Sequence, residues 1–201
     1  MRLLSWNCQG LRNSWTVRSL HKLVRDQIPK VCFLMETRLD KDGFGKHGRE
    51  LPFLNKFIVK KPYSRDGLAL LWKADVLLDV INFTENHVLE KVVEDGFVWF
   101  LTGFYGWPEA CEKKKSWVLL SHISFFVNGP WCCVGDFNVI LHSPKKQSLH
   151  PPLYKQMEEL QSTLELCKLF DLGFRGYKFT WNNKCLGATN TKERLDRAVA
   201  N

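Results

Sequence analysis

The chain lacks the marks of several protein classes at once. No run approaches ~18 consecutive apolar residues, which excludes a membrane-spanning helix. No Gly/Ser-rich linker, internal repeat or low-complexity tract interrupts its 201 residues, so one domain spanning 1–201 is expected. There is no CxxC pair and no Cys/His cluster at zinc spacing. The seven cysteines (Cys8, Cys32, Cys111, Cys132, Cys133, Cys167, Cys185) are odd in number and sit mostly in apolar runs. There a free thiol behaves as a small hydrophobe. The first ten residues turn polar too early for a secretory signal. A reducing, intracellular setting is the expectation. Acidic residues are the scarcer charge, 21 Asp and Glu against 29 Lys and Arg, a net +8. That surplus suits a polyanionic partner: nucleic acid, phosphoinositide headgroups or a phosphorylated substrate.

What is present is the usual globular mixture, 45% hydrophobic and 25% charged, which excludes disorder, collagen and a coiled coil. Short apolar runs at 2–8, 31–36, 67–72, 76–83, 88–93, 97–105 and 131–137 read as strands. Two more are expected at 177–183 and 194–200. Helical spacing of Val17, Leu20, His21, Val24 and Ile28 predicts a helix capped by Ser14 and stopped by Pro29. A second helix is expected over 111–126, carrying Trp117, Leu120 and Ile123. A third follows Pro151-Pro152, with Leu153, Met157, Leu160, Leu164 and Cys167 on one stripe. Asp42, Gly43, Gly45 and Gly48 mark a loop. Strands outnumber helices, which predicts an α/β layered fold with a largely antiparallel or mixed sheet.

Four polar islands end apolar strands: Trp6 to Gly10, Met35 to Arg38, Gly103 to Gly106, and Gly135 to Asn138. If the last strand continues to 138, Asp136 and Asn138 project from one face. A carboxylate beside an amide suits a phosphate site. Glu36 with Asn7 offers the hard oxygen ligands that Mg²⁺ prefers. Taken singly, each has a plainer reading: a solvated strand end for Glu36, a turn or cap for Asn7, a core aromatic for Tyr105. Their order along the chain favours the functional reading.

That order resembles the endonuclease/exonuclease/phosphatase superfamily, the deoxyribonuclease I-like fold. It is most similar to the endonuclease domain of plant LINE-type non-LTR retrotransposons. The resemblance rests on LLSWNCQGLRN (3–13), FLMETRLD (33–40), GLALLW (67–72), LTGFYGWPE (101–109), VGDFNVIL (134–141), FTWNN (179–183) and ERLDRAVAN (193–201). It implies a four-layered α/β sandwich of two packed, mostly antiparallel or mixed sheets. It also implies Mg²⁺-dependent, with Mn²⁺ as substitute, in-line hydrolysis of a DNA phosphodiester. Glu36 would be the principal metal ligand, with Asn7 supporting both metal and phosphate. Tyr105 would hydrogen-bond the scissile phosphate, Asp136 would orient or deprotonate water, and Asn138 would bind a phosphate oxygen. Arg38, Thr180 and Trp181 would contact substrate, the latter two at the DNA backbone. Asp196 matches the aspartate that orients a catalytic histidine.

The family pattern continues to a Ser-Asp-His block, and no histidine follows the Arg194-Leu195-Asp196 block here. The domain therefore reads as C-terminally truncated, with reduced activity and an exposed sheet edge. His142 reads as a loop residue, and Lys113-Lys114-Lys115 and Lys145-Lys146 as solvated faces. Trp6, Trp72, Trp99 and Trp131 read as core. The partner implied is duplex DNA, gripped by its backbone, in the nucleus, with no membrane and no protein partner. The competing readings are a non-catalytic remnant that binds nucleic acid and a phosphoesterase of the same fold acting on a phosphoinositide or nucleotide.

Overall fold

A computed structural model describes residues 1–39, 43, 51–60 and 67–201. The expected loop residues Asp42, Gly45 and Gly48, and Asp40 of the second family block, lie outside them. The chain divides into two compact units, Met1–Gly103 and Phe104–Asn201.

In the first unit, β1 (Leu3–Asn7) pairs in parallel with β2 (Val31–Met35), and α1 (Ser14–Gln27) connects them. Beyond β2 the sheet continues antiparallel through β4 (Gly67–Trp72) to β3 (Asn55–Lys60). All five residues of β2 are buried, as expected of a strand covered on both faces. Alternation sorts them. Cys32 and Leu34 join Leu20 and Val24 of α1, with Ala69 and Leu71 of β4, in one core cluster. Phe33 points the other way, onto Gly103 at the end of β7 (Phe97–Tyr105). A Cβ at Gly103 would stand 2.3 Å from the Phe33 ring. The missing side chain is what lets the two sheets approach here. Helix, sheet and second sheet thus form successive layers.

The second sheet begins with β5 (Leu77–Thr84) and β6 (His87–Glu94), an antiparallel pair with an irregularity between Val80 and Asn82. Asp95-Gly96 joins β6 to β7, both at positive φ (52° and 82°), the requirement of a type I′ hairpin turn.

In the second unit β8 (Trp131–Asp136) pairs antiparallel with β13 (Asp196–Ala200). On the far side of β13 lies β10 (Phe170–Asp171). Helices α2 (Lys113–Ser124) and α3 (Tyr154–Leu166) pack on one another. They bury Trp117, Leu120 and Ile123 of the first and Met157, Leu160 and Leu164 of the second. A small sheet of β9 (Lys146–Gln147), β12 (Lys192–Glu193) and β11 (Trp181–Asn182) completes the unit. The fold is mixed α/β with two large sheets.

Several expected boundaries move. Asn13, not Ser14, caps α1: its side chain accepts from the Trp15 N–H, and Ser14 is already helical. The strand expected over 177–183 shrinks to Trp181–Asn182. Trp131 is buried as expected, whereas Trp6, Trp72 and Trp99 are only half-buried. Among the described residues no helix is long and apolar enough to cross a membrane, and all seven cysteines are free thiols.

Candidate active site

Parallel pairing positions the first group of candidate residues. Asn7 lies opposite Met35, so the carboxyl ends of β1 and β2 point the same way. Open α/β sheets present ligand-binding residues at such ends. Glu36 follows Met35 and takes a left-handed conformation (φ 52°). The Asn7 Nδ2 donates to Glu36 Oε1 at 2.7 Å. Arg38, also left-handed, holds Nη2 3.9 Å from Glu36 Oε2. Positive φ at two neighbouring non-glycine residues stores backbone strain, a recurrent feature of functional sites. Backbone bonds hold the segment: Cys8 N–H to the Met35 carbonyl and Leu11 N–H to the Thr37 carbonyl. Cys8 itself is buried, and burial pushes its thiol up to about 11. That removes it as a nucleophile.

The donor set suits a hard cation. Mg²⁺ is usually held by one or two carboxylates together with waters and substrate phosphate oxygens. Glu36, partly exposed and braced by an amide, matches that use. Among the described residues no group of three or more His, Cys, Asp and Glu gathers, which disfavours a closed zinc centre.

Antiparallel pairing positions the second group. Asp136, the last residue of β8, stands directly across from Asp196, the first of β13. The expected continuation of β8 to 138 does not occur. The strand stops at Asp136 because Asn138 is left-handed (φ 55°) and its N–H turns back to Asp136 Oδ1 at 2.8 Å. An Asx-type turn, not strand alternation, brings the two side chains together. Asn138 Nδ2 donates to the Gly106 carbonyl at 2.7 Å, and the Gly106 N–H donates to the Asp136 carbonyl at 2.8 Å. Tyr105, one residue earlier, is buried at the end of β7.

Electrostatics act strongly on Asp196. Burial first, then the neighbouring Asp136 charge, pushes the Asp196 carboxyl up to about 7. The Thr180 hydroxyl accepts from the Leu195 and Asp196 N–H groups at 3.0 and 3.1 Å, tying the 177–181 segment to β13. Trp181 packs with Ile140, Met157 and Leu195, so much of its ring serves the core. His142 lies in a loop, its Nδ1 3.2 Å from Gln161 Nε2.

Two residues escaped the sequence reading. Arg197 is buried, donates from Nη2 to the Val139 carbonyl at 2.6 Å, and lies over the Phe137 ring. Burial lowers its pKa to about 10. Lys113, read as part of a solvated run, is buried, with its Nζ 2.5 Å from the Asn138 carbonyl. Alternation within Asp196–Ala200 already pointed Arg197 inward. Within the lysine run, only Lys113 falls four and seven residues before Trp117 and Leu120, the spacing that marks the buried face.

A sequence profile of the endonuclease/exonuclease/phosphatase family matches residues 4–201. No curated protein sequence matches the chain. Among solved structures, the endonuclease domain of TRAS1, a telomere-specific non-LTR retrotransposon, is similar with a TM-score of 0.73 at 14% identity. The match covers 98% of this chain and 84% of that one. An AP endonuclease from Archaeoglobus fulgidus scores 0.70 at 15% identity, covering 100% of this chain and 86% of the other. The 3′ phosphatase NExo from Neisseria, bound to a product DNA hairpin, scores 0.69 at 16% identity with the same coverage, 100% and 86%.

Proposed function

From the premise that this chain belongs to the endonuclease/exonuclease/phosphatase family, we propose that it hydrolyses DNA phosphodiesters with the aid of a divalent cation, Mg²⁺ foremost. We assign it as the nicking endonuclease domain of a LINE-type retrotransposon. The likeness to the TRAS1 domain and the ordered blocks from Leu3 to Asn201 support this reading. Such a role entails duplex DNA as partner and a nuclear location.

The observation that carries the chemistry is the carboxylate pair, Asp136 facing Asp196 with Asn138 folded onto Asp136. A carboxyl raised toward neutrality beside a second carboxyl offers an acid and a base to one reaction. Asp196, pushed up to about 7, carries the proton. Asp136 acts as the base that takes a proton from the attacking water. Asn138 donates its carboxamide N–H to a phosphate oxygen, and Tyr105 hydrogen-bonds the same phosphate. Glu36 and Asn7 would hold the cation, with Arg38 beside Glu36 adding positive charge to that group. When bound, the cation supplies charge neutralisation on the phosphate and the leaving oxygen. Thr180 keeps Asp196 in place through the backbone of β13.

The test is nicking of supercoiled plasmid with Mg²⁺. Asp136→Asn lowers the rate by about 10²–10⁴-fold, as loss of a positioned acid/base does. Glu36→Ala abolishes the dependence on Mg²⁺ concentration. Unchanged nicking by folded Asp136→Asn protein overturns the proposal. A parallel assay on phosphoinositide and nucleotide substrates distinguishes the other phosphoesterases of this fold.

A further inference from the structure

Three consecutive lysines open α2, and they have three different environments. Lys114 is exposed, and Lys115 pairs with Glu112 at 2.5 Å. Lys113 is only 7% exposed. Spacing places it on the buried face of α2, four residues before Trp117 and seven before Leu120, but charge disfavours it there. A cation in the first turn opposes the helix dipole, and the turn holds no acidic residue to offset it. Burial of the ammonium is itself unfavourable and lowers its pKa. What lies at the end of the side chain accounts for the cost: Nζ reaches the Asn138 carbonyl at 2.5 Å.

That contact supports Asn138. It is left-handed at φ 55°, a region that asparagine enters more readily than other residues with a side chain, with extended backbone as the competitor. Three hydrogen bonds from three directions hold it there. Its N–H donates to Asp136 Oδ1, its Nδ2 donates to the Gly106 carbonyl, and its own carbonyl accepts from Lys113. Two of these run to the strand end and its neighbour. The third alone ties the turn to a helix. Lys113 and Asn138 together line a cavity of about 220 Å³ whose other charged residues, Lys146 and Glu193, pair with each other at 3.0 Å. The ammonium therefore has a defined partner in the turn, and its long-range attractions run to Asp136, Glu193 and Glu109.

We propose that Lys113 is a positioning residue: its buried ammonium clamps the Asn138 carbonyl and so fixes the turn that aims the Asn138 carboxamide. The catalytic consequence rests on the phosphodiester reading above, whereas the clamp itself does not. A charge-assisted bond to a carbonyl is stronger than a neutral one. It resists the relaxation of Asn138 into ordinary extended backbone, which would swing the carboxamide away.

The experiment uses the full chain with asparagine ¹⁵N labelling, reading the Asn138 side-chain NH₂ resonance alongside thermal melting and plasmid nicking. Lys113→Met keeps the length and removes the donor; Lys113→Arg keeps donor and charge. The expected result is a displaced or broadened Asn138 NH₂ signal in Lys113→Met and a near-native one in Lys113→Arg. Nicking in Lys113→Met falls about tenfold or more in kcat, since small misplacements cost that much or more, with KM little changed. In an Asn138→Ala background the same substitution costs under about twofold further, because the two residues act as one unit. An unmoved Asn138 signal in folded Lys113→Met overturns the proposal, and so does an equal loss of kcat in both backgrounds. If Lys113→Met does not fold, Lys113→Gln, which retains a neutral donor, is read by the same signal, and a native signal position there overturns the need for the cation. If the wild-type chain nicks no DNA, the nuclease reading fails while the resonance still decides the clamp.

Discussion

At the scale of single residues, Asp196 sets the pH behaviour. Its carboxyl is pushed up to about 7 by burial and by Asp136, whereas in the unfolded chain it returns to the ordinary carboxylate range. A raised folded pKa means that the folded state holds the proton more tightly. The stability this brings is complete below the unfolded pKa, and it is lost as pH rises through the folded one. Asp196→Asn cannot ionise. It therefore gains melting temperature over the wild type at pH 8.5 and gains least at pH 5, where the wild-type carboxyl is protonated. Thermal melts of both proteins at the two pH values check the sign. A gain confined to pH 5 contradicts it.

Among the elements, β8 and its loop carry the tightest packing. A Cβ on Gly135 would come within 1.8 Å of the Phe104 carbonyl oxygen, at a φ of +152°. Neither atom belongs to a flexible side chain, so backbone has to move. Gly135→Ala is expected to destabilise by at least the about 1–3 kcal/mol of ordinary overpacking, read from urea unfolding with an unchanged m-value. Helix α1 offers a milder contrast. Asn13→Ala removes the side-chain acceptor for the Trp15 N–H and costs about 1 kcal/mol. Ser14→Ala, inside the helix, costs far less. A larger loss from Ser14→Ala than from Asn13→Ala would reinstate Ser14 as the cap.

For the whole molecule, the proposed binding of DNA by a chain of net charge +8 is an electrolyte effect. Each phosphate neutralised by Lys or Arg releases condensed counterions, so log K falls linearly with log salt. Fluorescence anisotropy with a labelled duplex between about 50 and 200 mM salt is expected to show a steep negative slope. It should show little preference among unrelated sequences. A flat salt profile would rule out backbone contacts as the source of binding.

The order of elements was legible in the sequence because burial leaves a periodic trace. The unbroken apolar run of β2, covered on both faces, and the three-to-four spacing of α1 and α3 follow from which faces meet the core. The candidate residues were legible because they sit in polar islands at strand ends, and the family blocks around them are contiguous. The strand end at Asp136 was not legible: a left-handed Asn138 is decided by hydrogen bonds to Gly106 and Lys113, 32 and 25 residues away in the chain. Nor was the cap at Asn13, which differs from Ser14 by one residue and by backbone angles alone. Asp196 was marked in the sequence by its match to the family's aspartate, as a partner for a histidine. Its place opposite Asp136, and the proton it consequently holds, come from β13 pairing in register with β8. Lys113 was legible in part, since it falls four and seven residues before Trp117 and Leu120, but its partner was not. The chain's composition and local patterns determined which elements form and which chemistry is available. Long-range pairing decided which carboxyl keeps its proton and which carbonyl the inward lysine meets, because each depends on neighbours that only the folded chain supplies.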